Sequence, residues 1–101
     1  MINDYDWKLV IYQMFCLSEI LDYECVLKNG DGKGGSEKSV GSKTGDDCVE
    51  ACWKAKKNDK RINGVTMRQD GVAGCWCELG MKRIASSSTY KTCFIVDNTG
   101  G

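Results

Sequence analysis

The sequence contains no histidine, no proline and no net charge. Histidine is the commonest general base and the commonest metal ligand, so its absence removes most hydrolase mechanisms. We therefore expect a protein that is not an enzyme and that holds no cofactor. Fourteen basic residues balance fourteen acidic ones. Without a positive field to attract phosphates, a nucleic-acid partner is not expected either.

Long apolar runs are also missing. Residues 9–17 (LVIYQMFCL) form an apolar stretch, but spanning a bilayer takes about 20 such residues, so we expect no membrane span. The stretch has the length of a signal-peptide core, yet Asp4 and Asp6 precede it where a leader carries basic residues. An unusual leader, a segment packed on the domain and a misassigned chain start all stay open. We treat residues 1–21 as an N-terminal extension.

Cysteine, in contrast, is abundant, with seven in 101 residues. A chain of this length supports one domain. Many cysteines in a single small domain indicate an oxidising compartment and a disulfide framework. We expect a secreted, extracellular protein.

Hydrophobic patterning divides the chain into elements. Residues 22–27 (DYECVL) alternate as a half-buried strand does. The glycine-rich residues 28–45 predict a long loop, with at most a short strand around Val40. Asp46 and Asp47 resemble helix caps, and a helix is predicted over residues 47–58.

The second half of the chain predicts strands. Residues 62–69 (INGVTMRQ) and 75–79 (CWCEL) flank a turn at Asp70 and Gly71, which indicates a β-hairpin. Residues 90–96 (YKTCFIV) form the last predicted strand. Residues 97–101 (DNTGG) are expected to be a flexible tail.

The cysteine positions restrict the disulfide pairing. Cys48 and Cys52 lie four apart on one helix face, together with Ala51 and Ala55, while Cys75 and Cys77 lie two apart on a strand. Each pair presents both sulfurs to one side, which favours two helix-to-sheet bridges. The first and last strands are then left to join Cys25 to Cys93, and Cys16 is left over.

Five segments resemble the apple/PAN family, especially small extracellular members from invertebrates: DYECVLKNGDGKGGSEKS, DDCVEAC, NGVTM, CWCELGM and YKTCFI. The resemblance covers residues 22–96. It implies an α+β fold in which an antiparallel sheet of about five strands curls around one helix. It also implies nested helix-to-sheet bridges, that is Cys48–Cys77 and Cys52–Cys75, beside Cys25–Cys93. The C-x-C strand and the glycine-rich loop depart from the better-known blood-protein members, so their partners do not transfer.

Other chemistries fit the residues less well. The cysteine spacings are not those of zinc knuckles. In an EF-hand register that begins at Asn29, Lys33 and Val40 occupy ligand positions. A calcium site of another kind at Asp31 and Glu37 stays open, against a solvated glycine loop, and we expect no metal.

Trp76 is the candidate ligand-binding residue. It lies between two cysteines that are expected to face the helix, so its side chain should point to the opposite face of the sheet. There it could be covered by residues 28–45 or by the N-terminal extension, or it could stack on a sugar or anchor a protein. Trp53 is expected at the rim of the core.

These observations favour an extracellular recognition module that binds protein or carbohydrate. The alternative is a secreted structural, matrix or toxin-like defence protein whose disulfides serve durability alone. An odd cysteine in an oxidising compartment tends to pair with another chain. We therefore expect that Cys16 could link two chains in a dimer.

Overall fold

The computed structural model describes residues 22–98 of the chain. Within this range there are nine strands and one helix. Their bounds are β1 Tyr23–Glu24, β2 Lys28–Asn29, β3 Asp31–Lys33, β4 Ser36–Gly41, α1 Gly45–Lys56, β5 Ile62–Arg68, β6 Cys75–Leu79, β7 Arg83–Ala85, β8 Tyr90–Phe94 and β9 Val96–Asp97.

The centre of the fold is a five-stranded antiparallel sheet in the order β2-β8-β5-β6-β4. Two short ribbons, β1-β9 and β3-β7, lie beside it. The predicted hairpin of β5 and β6 is present, with Val65 opposite Cys77. The α+β fold with a sheet of five strands, one helix and disulfide staples is confirmed.

Helix α1 begins two residues earlier than predicted. Thr44 is the N-cap residue and makes no side-chain capping hydrogen bond. The interpretation of Asp46 and Asp47 as caps is therefore wrong, because both lie inside the first turn. There they still favour the helix, since their charge complements the positive N-terminal end of the helix dipole.

The core lies between α1 and the sheet, and it contains three disulfide bonds. Cys25–Cys93 is formed as predicted. The other two bonds are Cys48–Cys75 and Cys52–Cys77, so the nested pairs Cys48–Cys77 and Cys52–Cys75 are wrong. All four of these helix and strand cysteines are fully buried.

The direction of the helix explains the correction. Four residues of helix rise about 6 Å and two residues of strand about 6.6 Å, so the two cysteine pairs match in spacing whichever way the helix runs. The nested pairing requires α1 to run antiparallel to β6. The Cα atoms of Cys48 and Cys75 are 5.5 Å apart and those of Cys52 and Cys77 are 5.4 Å apart, which shows that α1 and β6 run in the same direction.

Residues 28–45 are not a long loop, because they contain β2, β3 and β4. Glycine allows this segment to lie against the rest of the domain. A Cβ at Gly35 would be 2.1 Å from the carbonyl oxygen of Leu79, and one at Gly32 would be 2.5 Å from Met81 Sδ. The glycines therefore mark close backbone approach rather than a solvated loop.

The ends of the domain also differ from expectation. Strand β1 covers two residues of the predicted 22–27, and Asp97, which was expected in the tail, belongs to β9. The Asn98 amide donates to the carbonyl oxygen of Asp22 at 2.8 Å. The N-terminal extension (1–21) and residues 99–101 lie outside the described residues. In residues 22–98 no helix is long and apolar enough to cross a membrane.

Candidate functional site

The face of the sheet opposite α1 carries Trp76. Strand β6 alternates, so Cys75 and Cys77 point into the core toward α1 while Trp76 points away from it. The indole is half-buried. Asp31 and Glu37 of the segment 28–45 line the same cleft as the indole.

A small cleft of about 100 Å³ lies beside this tryptophan. Tyr90 meets Trp76 edge-to-face, with ring centroids 5.8 Å apart and planes at 89°. Thr66, the cross-strand neighbour of Trp76, also lines the cleft. Asp31 and Glu37 complete its walls. The cleft thus combines two aromatic rings with carboxylate acceptors.

Glu78 lies next to this cleft and is only 2% exposed. Its Oε2 is 2.7 Å from Thr66 Oγ1, which is in turn 2.8 Å from Thr92 Oγ1. The Thr92 hydroxyl donates to the carbonyl oxygen of Gly30 at 2.9 Å. A chain of three hydrogen-bonding contacts therefore runs from Glu78 to the backbone of the glycine-rich segment.

The threonine hydroxyls are the donors at the two ends of this chain. Thr66 Oγ1 donates to Glu78 Oε2, and Thr92 donates to the Gly30 carbonyl, which can only accept. Glu78 therefore accepts a hydrogen bond from Thr66.

The electrostatic surroundings of Glu78 determine whether its carboxyl is charged. The pKa of Glu78 is raised from its ordinary 4.5 to about 7, mainly by burial. The hydrogen bond from Thr66 lowers this pKa, while the charge of Glu37, a hydrogen bond with Glu37 and the charge of Asp31 raise it. Desolvation penalises the charged form of a carboxyl, and nearby carboxylates do the same. The neutral form is therefore favoured in the folded protein up to about pH 7.

Asp31, Glu37 and Glu78 form a cluster in which one carboxylate oxygen from each lies within 4.8 Å of the others. The structure thus brings together the two residues named for a calcium site and adds a third carboxyl. Calcium takes 6–8 oxygen ligands. Lys33 Nζ lies 3.3 Å from Asp31 Oδ2 and offsets part of the negative charge. The cluster can accept hydrogen bonds from hydroxyl groups or contact a hard cation.

Sequence reasoning found Trp76 but missed Thr66, Glu78 and Tyr90. The alternation of side chains along a strand could have found two of these residues. Along β6 it places Glu78 on the same face as Trp76. Along β5 it places Thr66 on that face once the β5–β6 register is known. The position of Tyr90 depends on the pairing of β8 with β5, which the sequence does not encode locally. Trp53, in contrast, lies at the rim of the core as expected.

Comparison with protein-family models, with curated proteins and with solved structures gives no match to this chain. The apple/PAN resemblance rests on the sequence motifs and stays a prediction.

Proposed function

We propose that the protein is an extracellular recognition module that binds carbohydrate at the cleft beside Trp76. The observation that carries the proposal is the placement of a half-exposed indole and the Tyr90 ring next to the carboxylates of Asp31 and Glu37. A sugar ring has an apolar face that packs on an aromatic ring and hydroxyl groups that donate to carboxylates.

The size of the cleft supports a small recognition element. At about 100 Å³ it holds one functional group or the edge of one sugar unit, whereas pockets for drug-sized molecules measure about 300–1,000 Å³. The remaining contacts of a glycan chain would lie on the surrounding surface. We infer an oligosaccharide bound through the edge of one sugar unit.

The buried carboxyl supports the same site indirectly. Glu78, Thr66 and Thr92 connect the sheet to Gly30 through hydrogen bonds, and this holds the glycine-rich segment that carries Asp31. A site is preorganised when the side chains that line it are themselves fixed by packing and hydrogen bonds. The extracellular location is proposed on the three disulfides, which persist in oxidising compartments.

The alternative, a secreted structural or defence protein, needs the disulfides but not the cleft. A glycan array probed with the full chain, with Trp76→Ala and with Phe94→Ala separates the two functions. Phe94 is an exposed aromatic residue on the same face, and it does not line the cleft. Binding that survives Phe94→Ala and disappears in Trp76→Ala supports recognition, provided that circular dichroism shows both variants folded. No glycan bound by the parent would favour the alternative.

A further inference from the structure

Helix α1 carries a stripe of four residues that lies outside the Trp76 cleft and touches the core only through Trp53. Asp46, Glu50, Trp53 and Lys57 follow one another at spacings of four, three and four residues, which places them on one side of the helix. The two acids and the lysine are exposed, and the tryptophan is half-buried. The stripe is about 17 Å long, since a helix rises 1.5 Å per residue.

An aromatic pair lies at the centre of this surface. Trp53 stacks on Tyr23, with ring centroids 4.9 Å apart and an interplanar angle of 27°. Tyr23 also belongs to the floor of a groove of about 420 Å³, together with Leu27 and Val49. The aromatic pair therefore connects the helix surface to an open apolar groove.

One half of the surface, on the groove side of the aromatic pair, is acidic. Glu24, Asp46, Asp47 and Glu50 line the groove, and no lysine or arginine is among the described residues that do so. The helix N-terminus contributes about half a positive charge, and Lys54 Nζ lies 3.8 Å from Glu50 Oε2, so together they offset only part of the charge of the four carboxylates. Burial raises the pKa of Tyr23, and the charges of Glu50 and Asp46 raise it further.

The other half is basic. A second cleft of about 240 Å³ on the far side of Trp53 is lined by Lys56, Lys57 and Lys60. Asp22 and Asp97 lie in the same cleft, so the three lysines exceed the acids by one positive charge. Lys56 Nζ donates to the Ile62 carbonyl oxygen at 2.6 Å, which leaves Lys57 and Lys60 as the outward-facing charges. Lys57 and Lys60 are exposed. The acidic half, the aromatic centre and the basic half thus follow one another along α1.

We propose that this surface binds a second copy of the chain, with two antiparallel α1 helices related by a two-fold axis near Trp53. In that arrangement the acidic half of each copy faces the basic half of the other, and the aromatic residues meet at the centre. A two-fold interface uses the same patch on both subunits and must be self-complementary. Central aromatic residues and charged rims are the usual anatomy of such interfaces.

The charge pattern favours a second copy over other occupants. A peptide of one charge sign would complement only half of the surface, whereas a second copy complements both halves at once. The chain's own residues 1–21 contain Asp4, Asp6 and Glu19 against Lys8, so they do not match the acidic groove. A stripe of this length makes a small contact, and small contacts form weak, concentration-dependent dimers.

Charge reversal tests the proposal. All proteins carry Cys16→Ser, so that no disulfide between chains contributes, and sedimentation equilibrium is measured at low and at high salt. Glu50→Lys and Lys57→Glu should each raise the dimer Kd by about tenfold or more, because each places like charges opposite one another twice. The double variant Glu50→Lys/Lys57→Glu should regain the dimer. An equimolar mixture of the two single variants should form a 1:1 heterodimer. Lys82→Glu, an exposed reversal outside the stripe, is the control.

Several results would overturn the proposal. A parent protein that stays monomeric at millimolar concentration and low salt contradicts it. So does a parent dimer that both single reversals leave intact, or one that Lys82→Glu weakens equally. Failure of the mixed variants to associate, while the parent dimerises, would exclude the two-fold arrangement. Circular dichroism of each variant shows that the fold is retained.

Discussion

Glu78 Oε2 lies 2.7 Å from Thr66 Oγ1, on the face of the sheet that points away from the disulfides between α1 and β6. This contact begins the hydrogen-bonded chain that ends at the Gly30 carbonyl. The charges of Glu37 and Asp31 raise the pKa of Glu78, and both residues line the cleft, so the ionisation of this buried side chain is coupled to the walls of the ligand cleft.

Stability should therefore fall as the pH rises from about 4.5 to about 7. In this window the folded state holds a proton on Glu78 that the unfolded state has released, so raising the pH favours unfolding. The effect is at most about 3 kcal/mol, and it levels off above pH 7. The chain has no histidine that would titrate in the same range. Urea midpoints measured across the window test the expectation.

The matched variant for this test is Glu78→Gln, because an amide is always neutral and its oxygen can accept the hydrogen bond from Thr66. Its unfolding free energy should be nearly independent of pH over the same window. Hydrogen bonds with Arg61 and Arg68 lower the pKa values of Asp59 and Asp70 to about 2. Their contribution to stability is therefore lost only when the pH falls below about 4, outside this window. A pH dependence that survives in Glu78→Gln would show that another group is responsible.

The disulfide pairing is tested by peptide mapping without reduction. Cleavage after Glu50 separates Cys48 from Cys52, and cleavage after Trp76 separates Cys75 from Cys77. We expect one pair of linked peptides that joins Cys48 to Cys75 and another that joins Cys52 to Cys77. Recovery of the nested pairs would mean that α1 runs antiparallel to β6.

Cys16 is the seventh cysteine, and the other six are bonded to one another. It lies outside the described residues. We expect the purified protein to form a dimer that reducing agent dissociates on a gel, and Cys16→Ser to abolish that band, because an odd cysteine in an oxidising compartment tends to pair between chains. A monomer whose Cys16 reacts stoichiometrically with iodoacetamide would rule this out.

Several features of the fold could be predicted because they depend on local patterns. The opposite orientations of Trp76 and its flanking cysteines follow from strand alternation alone. The direction of α1 relative to β6 could not, because the spacing of Cys48 and Cys52 fits Cys75 and Cys77 equally well in either sense. Direction is set by the connections and by packing across the whole domain.

The cleft was harder to predict than the tryptophan beside it. Glu78 has the sequence context of an ordinary exposed residue on a strand, and it is buried only because the glycine-rich segment lies against it. A Cβ at Gly32 would be 2.7 Å from Glu78 Cδ. Glycine-rich sequence predicts turns and loops in general, and it does not indicate which surface the backbone approaches. Asp31 and Glu37 belong to the same glycine-rich segment, and they line the cleft because that segment lies against the sheet.

The most direct test of recognition at Trp76 is the dissociation constant of the strongest glycan on the array, measured by calorimetry for three proteins. Trp76→Ala should raise this Kd by about thirtyfold, the loss typical of an aromatic hot spot of about 2 kcal/mol. Phe94→Ala should leave it within about twofold, since changes away from a binding site are nearly neutral. Equal affinities for the parent and Trp76→Ala, or equal losses in both variants, would contradict binding at this cleft.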